Sequence, residues 1–103
     1  MMRSSTQMFQ RVLKKFREKI RDRQFVVTLH AVEELEDEGL SVLDLQHAIL
    51  TGEIATRQKD ADTREWKYLI KGHSLSDDEL VAVGKLSPID KLVIITIYDE
   101  TKS

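Results

Sequence analysis

His30 is the side chain of this 103-residue sequence that is best suited to acid–base chemistry. It stands in the segment TLHAVEEL (28–35), where an apolar run gives way to a helical pattern. A neutral imidazole can remove a proton near pH 7, so His30 is a candidate general base. Glu33 and Glu34 follow three and four residues later, on the same side of a helix. The alternatives are a surface histidine at a helix start, or two zinc ligands made by His30 and one glutamate.

Other arrangements that carry chemistry are missing from the sequence. Cysteine is absent, which excludes disulfides and thiolate catalysis. Nothing near His30 offers a third zinc ligand, and His47 and His73 are distant in sequence. The four glycines are scattered, so the chain has no glycine-rich phosphate loop. We therefore expect neither a metal ion nor a cofactor.

Cations recur at alternate positions of three strand-like segments after Gly52. They are Arg57 and Lys59 in one segment, Lys67 and Lys71 in the next, and Lys85 in a third. Because alternate residues of a strand share a face, we expect these side chains to form a basic surface on the sheet face away from the helices. The alternative is that they are solvated strand positions and edge charges that discourage aggregation.

The last apolar run, LVIITIY (92–98), carries a hydroxyl and a phenol at alternate positions. Its apolar row, which we expect to face the helices, consists of Val93, Ile95 and Ile97. Thr96 and Tyr98 then point to the other side, together with the cations. The phenol of Tyr98 can donate a proton to a phosphate or to a leaving oxygen, or it can simply pack at the end of the sheet.

Helical spacing and capping residues predict three helices in the first half of the chain. Apolar residues recur every three or four positions within residues 1–23, which indicates a basic amphipathic helix. Residues 24–52 are expected to hold a short strand and two helices. Thr28 suits the N-cap of the first of these, and Ser41 with Asp44 resembles a capping box for the second.

After Gly52 the pattern changes from helical spacing to alternation. The expected strands are residues 53–59, 65–71, 80–86 and 91–98. Short, turn-rich connections between them predict an antiparallel meander over residues 53–100. We therefore predict a single domain, 1–103, with an α+β fold in which N-terminal helices pack on one face of a four-stranded antiparallel sheet.

The net charge of −2 hides an uneven distribution. Residues 1–23 have a balance of +6 and residues 24–54 a balance of −7, so the overall charge gives no support for nucleic-acid binding, and only local basic patches could provide it. No apolar run approaches the roughly 20 residues that span a bilayer, and no signal peptide is recognisable. We expect a bacterial, cytoplasmic protein without a membrane segment. The apolar residues of the first helix favour packing on the sheet or on a second copy in a homodimer.

Four segments resemble a family of small bacterial proteins known mainly as a domain of unknown function. The family pattern is Thr-x-His-Ala, Gly-hydrophobic-Ser/Thr, a hydrophobic helix ending in Gly-Glu, and a last strand ending in Thr-x-Tyr. The matching segments are TLHA (28–31), EGLS (38–41), LQHAILTGEI (45–54) and IITIYDE (94–100). The likeness covers residues 24–100 and extends to the fold of RelE-type toxins and MqsR-type messenger-RNA interferases. The latter also have a tryptophan in the second meander strand, as Trp66 would be here.

The resemblance implies a metal-independent endoribonuclease that is neutralised by an antitoxin protein of the zinc-finger or helix-turn-helix kind. His30 would then be the base, and Tyr98 would assist the leaving group. The residues expected to contact RNA phosphates are Arg57, Lys59, Lys67, Lys85 and Thr96. The sequence departs from the family pattern at Glu34, where the family has arginine. This departure favours the alternative function of a non-catalytic protein-interaction module on the same fold.

Overall fold

Three helices and five strands make up most of residues 3–102, the part of the chain that the computed structural model describes. The elements are α1 (Arg3–Arg21), β1 (Phe25–Val27), α2 (Leu29–Asp37), α3 (Val42–Thr51), β2 (Glu53–Lys59), β3 (Trp66–His73), β4 (Glu79–Leu86), β5 (Leu92–Asp99) and a 3-10 turn (Glu100–Lys102). The α+β class is confirmed. Within this part of the chain, no helix combines the length and the apolar character needed to cross a membrane.

The two short helices begin at the predicted capping residues. The N–H of Ala31 donates to Thr28 Oγ1 at 3.2 Å, which caps the start of α2. At the start of α3, Asp44 Oδ2 accepts from the Ser41 N–H at 2.9 Å, and Ser41 Oγ accepts in return from the Asp44 N–H. Such caps satisfy N–H groups that the first helical turn leaves without partners. Thr28 therefore fixes the point at which His30 enters α2.

The sheet has five strands in the order β1-β5-β4-β3-β2, so the prediction of a four-stranded antiparallel sheet is wrong. The four meander strands pair as expected, and β1 adds a parallel edge strand in which Phe25 pairs with Leu92 and Val27 with Ile94. The pairing supplies hydrogen-bond partners to the outer edge of β5, which would otherwise be open. It joins segments 67 residues apart, and local patterns carry no signal for such a contact.

All three helices lie on one face of the sheet and enclose the core with it. The fully buried side chains include Phe16 from α1, Leu45 and Ile49 from α3, and Ile70, Leu92 and Ile94 from the sheet. Tyr68 makes T-shaped contacts with Phe9 and Phe16, whose ring centroids lie 6.5 and 5.6 Å from its own. A Cβ at Gly72 would lie 2.1 Å from the Ala48 carbonyl oxygen, so only glycine lets α3 pack this closely on β3. We call the other side of the sheet the open face.

A bulge in β5 changes which residues of that strand face the helices. Thr96 pairs with Val83 and Ile94 pairs with Gly84, so Ile95 is an extra residue without a partner. The helix-facing residues are Leu92, Ile94 and Ile97. The prediction of a row made by Val93, Ile95 and Ile97 is therefore wrong except for Ile97. Thr96 and Tyr98 do point to the open face.

A second bulge, in β2, moves two predicted phosphate ligands to the helix side of the sheet. The register shifts between Ile54 and Thr56, and beyond it Arg57 pairs with Tyr68 and Lys59 with Trp66. Directly paired residues of antiparallel strands share a face, and Tyr68 faces the helices. The expectation that Arg57 and Lys59 lie on the open face is therefore wrong, because strict alternation from Ile54 ignores the extra residue. Lys67, Lys71 and Lys85 do lie on the open face.

Candidate functional site

His30 lies on the first turn of α2 with most of its ring in solvent. The exposed fraction of its side chain is 69%, and its Nε2 lies 3.4 Å from Glu34 Oε1, one helical turn further along. A carboxylate in this position orients the imidazole ring. Because Nε2 faces the carboxylate, Nδ1 is the nitrogen that a substrate can approach.

Glu34 is itself fixed to the edge of β5. Its Oε1 accepts from Thr96 Oγ1 at 2.5 Å and from the Ile97 N–H at 3.0 Å. The short strand β1 ends opposite Ile94, and the chain then covers the rest of this edge with the start of α2, where Thr28 Oγ1 donates to the Ile95 carbonyl at 3.0 Å. An arginine at position 34 has no acceptor for the Ile97 N–H, so the glutamate has a structural reason to be here. We use the name His30 site for His30, Glu34, Thr96 and Tyr98.

Tyr98 extends the site along β5. It follows Thr96 by two residues on the open face, about 7 Å along the strand, and 39% of its surface is exposed. Val81 pairs with Tyr98 on one side and with Lys71 on the other, so these three residues form a row across the open face. The ammonium of Lys71 lies 3.7 Å from the Glu100 carboxylate. The phenol of Tyr98 and the ammonium of Lys71 thus lie in one row of the sheet, with Val81 between them.

Lys67 and Lys85 share the open face, but their charges are neutralised by carboxylates. The Tyr68–Gly84 pair sets the two lysines side by side on β3 and β4, where like charges repel. Lys67 Nζ lies 2.8 Å from Asp60, and Lys85 Nζ lies 2.7 Å from Glu65. The hydrogen bond from Lys67, helped by the N–H groups of Thr63 and Asp62, holds the pKa of Asp60 far below its usual value. The bond from Lys85 likewise lowers the pKa of Glu65.

Arg57 and Lys59 form a separate group with Trp66. Arg57 Cζ stands 3.8 Å from the centroid of the indole ring, and Lys59 Nζ stands 5.4 Å from it. We call these three residues the Trp66 cluster. The strand that carries the two cations lies three strand spacings from β5, about 14 Å, and their side chains are on the other face of the sheet. The structure therefore links His30 to Thr96 through Glu34, places Tyr98 two residues further along β5, and leaves Arg57 and Lys59 apart from them.

Two residues of this region were absent from the predicted set. Glu34 positions His30, and its spacing of four residues was a usable signal, but Glu34 was interpreted as a candidate metal ligand and as a departure from the family pattern. Lys71 was expected on the basic surface, but its place in the row with Tyr98 depends on the register of three strands. The predicted phosphate ligand Thr96 donates its hydroxyl proton to Glu34.

The zinc alternative lacks a third protein ligand. Among residues 3–102, no group of three or more histidine, cysteine, aspartate or glutamate side chains is arranged to hold a metal ion. His47 lies elsewhere, with its Nδ1 2.8 Å from the carbonyl oxygen of His73. The geometry of the His30 site is therefore that of an oriented imidazole beside hydroxyl groups.

Comparison with known proteins identifies the family of the chain. No curated protein and no solved structure matches it. Residues 27–99, more than two thirds of the chain, match the family described as "Domain of unknown function (DUF4258)". The match runs from the end of β1 to the end of β5 and includes both the His30 site and the Trp66 cluster. The chain therefore belongs to the DUF4258 family of domains of unknown function.

Proposed function

We propose that this protein is a metal-independent endoribonuclease of the RelE/MqsR toxin kind, in which His30 is the general base. The observation that carries the proposal is the pairing of an exposed imidazole with a carboxylate that is itself fixed to β5. An imidazole held by a carboxylate is pre-oriented for proton transfer, as in the catalytic triads of hydrolases. Tyr98, on the same strand as the anchor, supplies a second proton-transfer group.

The reaction is attack of a ribose 2′-hydroxyl on the adjacent phosphorus. His30 removes the 2′-hydroxyl proton while the bond from O2′ to phosphorus forms. The bond from phosphorus to O5′ breaks, and Tyr98 donates its proton to the leaving O5′. The products are a 2′,3′-cyclic phosphate and a free 5′-hydroxyl, and the imidazolium returns its proton to the phenolate through solvent. We assign to Lys71, which lies in the same row of the sheet as Tyr98, the role of stabilising the charge that develops on the phosphoryl oxygens.

In this mechanism Glu34 is a positioning residue. It does not touch the substrate, but it directs Nε2 of His30 toward itself and favours the imidazolium that forms during attack. Its hydrogen bonds to Thr96 and to the Ile97 N–H keep the carboxylate from rotating away. The departure from the family arginine at this position thereby becomes part of the proposed mechanism.

The second candidate function is a non-catalytic module that binds a protein partner, and two exposed leucines favour it. The exposed fractions of Leu43 and Leu75 are 65% and 61%. The two are neighbours, because Asp44 Oδ1 accepts from the Leu75 N–H at 2.9 Å. Neither contributing segment, 38–52 or 72–84, contains lysine or arginine. A basic and apolar segment, such as that of an antitoxin, has the complementary chemistry.

An RNA cleavage assay separates the two functions. The purified full chain is incubated with a labelled single-stranded RNA in the presence of EDTA. We expect cleavage, and we expect the rate to fall about 10²- to 10⁴-fold in His30→Ala. His73→Ala, which removes another exposed imidazole, is the matched control and should cut at the parent rate.

Expression of the parent chain should arrest growth, and neither His30→Ala nor Tyr98→Phe should do so. Intact RNA and normal growth with the parent chain would support the binding module.

A further inference from the structure

Trp66 is the only tryptophan of the chain, and it stands at the margin of the core. It lies on the helix side of β3, two residues before the buried Tyr68, yet 38% of its surface is exposed. The helices cover the sheet as far as Tyr68 and leave Trp66 partly in solvent. Part of this aromatic surface is therefore accessible to a ligand.

The cations on Trp66 differ from the lysines of the open face in what they contact. Within the described part of the chain, neither Arg57 nor Lys59 has a carboxylate within 4 Å, whereas Lys67, Lys71 and Lys85 each have one. Contact with the indole ring restrains both cations but leaves their positive charge uncompensated. A phosphate can therefore approach them without first displacing a carboxylate.

The acidic residues nearest in sequence to the Trp66 cluster form ion pairs on the opposite face of the sheet. Asp60 follows Lys59 directly and Glu65 precedes Trp66 directly. Both carboxylates bind lysines of the open face, Asp60 to Lys67 and Glu65 to Lys85. The helix side of these strand ends consequently keeps an aromatic ring and two cations. This is the combination with which proteins bind unpaired nucleic acid, because bases stack on the ring or on a guanidinium plane and cations contact the backbone.

We propose that the Trp66 cluster is a docking site for an unpaired segment of RNA, in which a base stacks on the Trp66–Arg57 pair and a phosphate contacts Lys59. The choice of RNA as the polymer rests on the proposed function. Because the cluster is about 14 Å from β5 and on the other face, it contacts nucleotides other than the one that is cut. It therefore requires a substrate that is single-stranded beyond the cleaved bond.

The single tryptophan makes the test direct, because its fluorescence reports this site alone. The full-length His30→Ala protein is titrated with an unlabelled single-stranded RNA oligonucleotide, and with the same sequence as a duplex. We expect saturable quenching by the single strand and much weaker quenching by the duplex. With labelled RNA, fluorescence anisotropy should give binding about tenfold weaker or more for Trp66→Ala. In Arg57→Gln, the slope of the logarithm of the binding constant against the logarithm of the salt concentration should become less steep by about 1, because one counterion fewer is released.

Lys91→Gln is the matched control, since it removes one charge at an exposed residue directly before β5, three strand spacings from the strand that carries Arg57 and Lys59. It should change the affinity less than about twofold, because this position lies about 14 Å across the sheet from the cluster. Equal losses in Lys91→Gln and Arg57→Gln, quenching by duplex as strong as by single strand, or no quenching at all would overturn the docking site. Trp66→Phe keeps an apolar ring at the core margin, and its affinity should fall between those of the parent and Trp66→Ala.

The two proposals can fail separately. RNA that is cut without any change in Trp66 fluorescence refutes the docking site and leaves the nuclease standing. Quenching by single-stranded RNA, combined with RNA that the parent chain leaves intact, supports the docking site and refutes the nuclease.

Discussion

The His30 site and the Trp66 cluster hold charge in opposite ways. At the His30 site, one carboxylate oxygen of Glu34 serves three partners: His30, the Thr96 hydroxyl and the Ile97 N–H. At the Trp66 cluster, two cations lie over an aromatic ring, and neither has a carboxylate within 4 Å among residues 3–102. The first arrangement fixes groups at one position, as proton transfer requires. The second restrains cations without neutralising them, as reversible binding requires.

The comparison predicts that the His30 site determines kcat and that the Trp66 cluster determines KM, which steady-state kinetics can test. Glu34→Gln keeps an oxygen for the Ile97 N–H but loses the charge that favours imidazolium. We expect it to lower kcat by about 10²-fold with KM nearly unchanged. Arg57→Gln should instead raise KM and leave kcat close to that of the parent. Steady-state rates of RNA cleavage measure both. A KM effect for Glu34→Gln, or a kcat effect for Arg57→Gln, would contradict this prediction.

The two regions should also differ in their effect on stability. At the His30 site, Glu34 accepts a hydrogen bond from a backbone N–H, whereas the cations of the Trp66 cluster contact an aromatic ring. Glu34→Ala leaves the Ile97 N–H and the Thr96 hydroxyl without their acceptor at a partly buried edge. We expect the free energy of unfolding to fall by about 1–3 kcal/mol in urea titrations. Glu33→Ala, at the adjacent exposed position of α2, should stay within about 0.5 kcal/mol of the parent. Equal effects of the two variants would mean that the anchoring contributes nothing.

Asp44 provides an anchored carboxylate that has no proposed chemistry. The Ser41 N–H, and to a lesser degree the Leu75 N–H, hold the pKa of Asp44 below its usual value. Asp44→Ala should cost about 1 kcal/mol at pH 7 and leave RNA cleavage unchanged. Because the folded pKa is depressed, this contribution is present above about pH 4 and is lost as the pH falls through the folded value. Urea titrations of parent and variant should therefore converge in acid. A difference that persists there would contradict the pKa assignment.

The smallest effect is expected for the ion pairs of the open face. Lys85→Gln removes the partner of Glu65, but the pair is accessible to water. The melting temperature of the Lys85→Gln protein should shift less than that of the Asp44→Ala protein. The shift should vanish in about 1 M salt, where such pairs are screened. Thermal melts at low and high salt measure this. A large, salt-independent shift would mean that the lysine stabilises the sheet by packing.

Local patterns predicted the features that depend on neighbouring residues. Thr28 and the Ser41–Asp44 box cap their helices because an N-cap and its partner lie within three residues of each other. The open-face positions of Thr96 and Tyr98 followed from alternation alone. Contacts between distant segments were out of reach: β1 pairs with β5 across most of the chain, and no local pattern encodes that pairing.

The two bulges explain why the candidate site was only partly predicted. One extra residue near Ala55 reverses the face of Arg57 and Lys59, and one at Ile95 does the same for Val93. The bulged segments around Ala55 and Ile95 contain no glycine or proline, although Gly84 lies opposite the second bulge on β4. The prediction that Arg57 shares one face of the sheet with Thr96 and Tyr98 therefore failed.

The most direct test of the central claim, that the His30 site cuts RNA through the 2′-hydroxyl, is analysis of the reaction products. The parent chain is incubated with RNA in EDTA, and the ends are identified by mass spectrometry. We predict 2′,3′-cyclic phosphates and 5′-hydroxyls, and no cleavage of a matched strand with 2′-deoxyribose at the cleaved position. Cleavage of that deoxy strand, products with 5′-phosphates, or intact RNA would contradict the account.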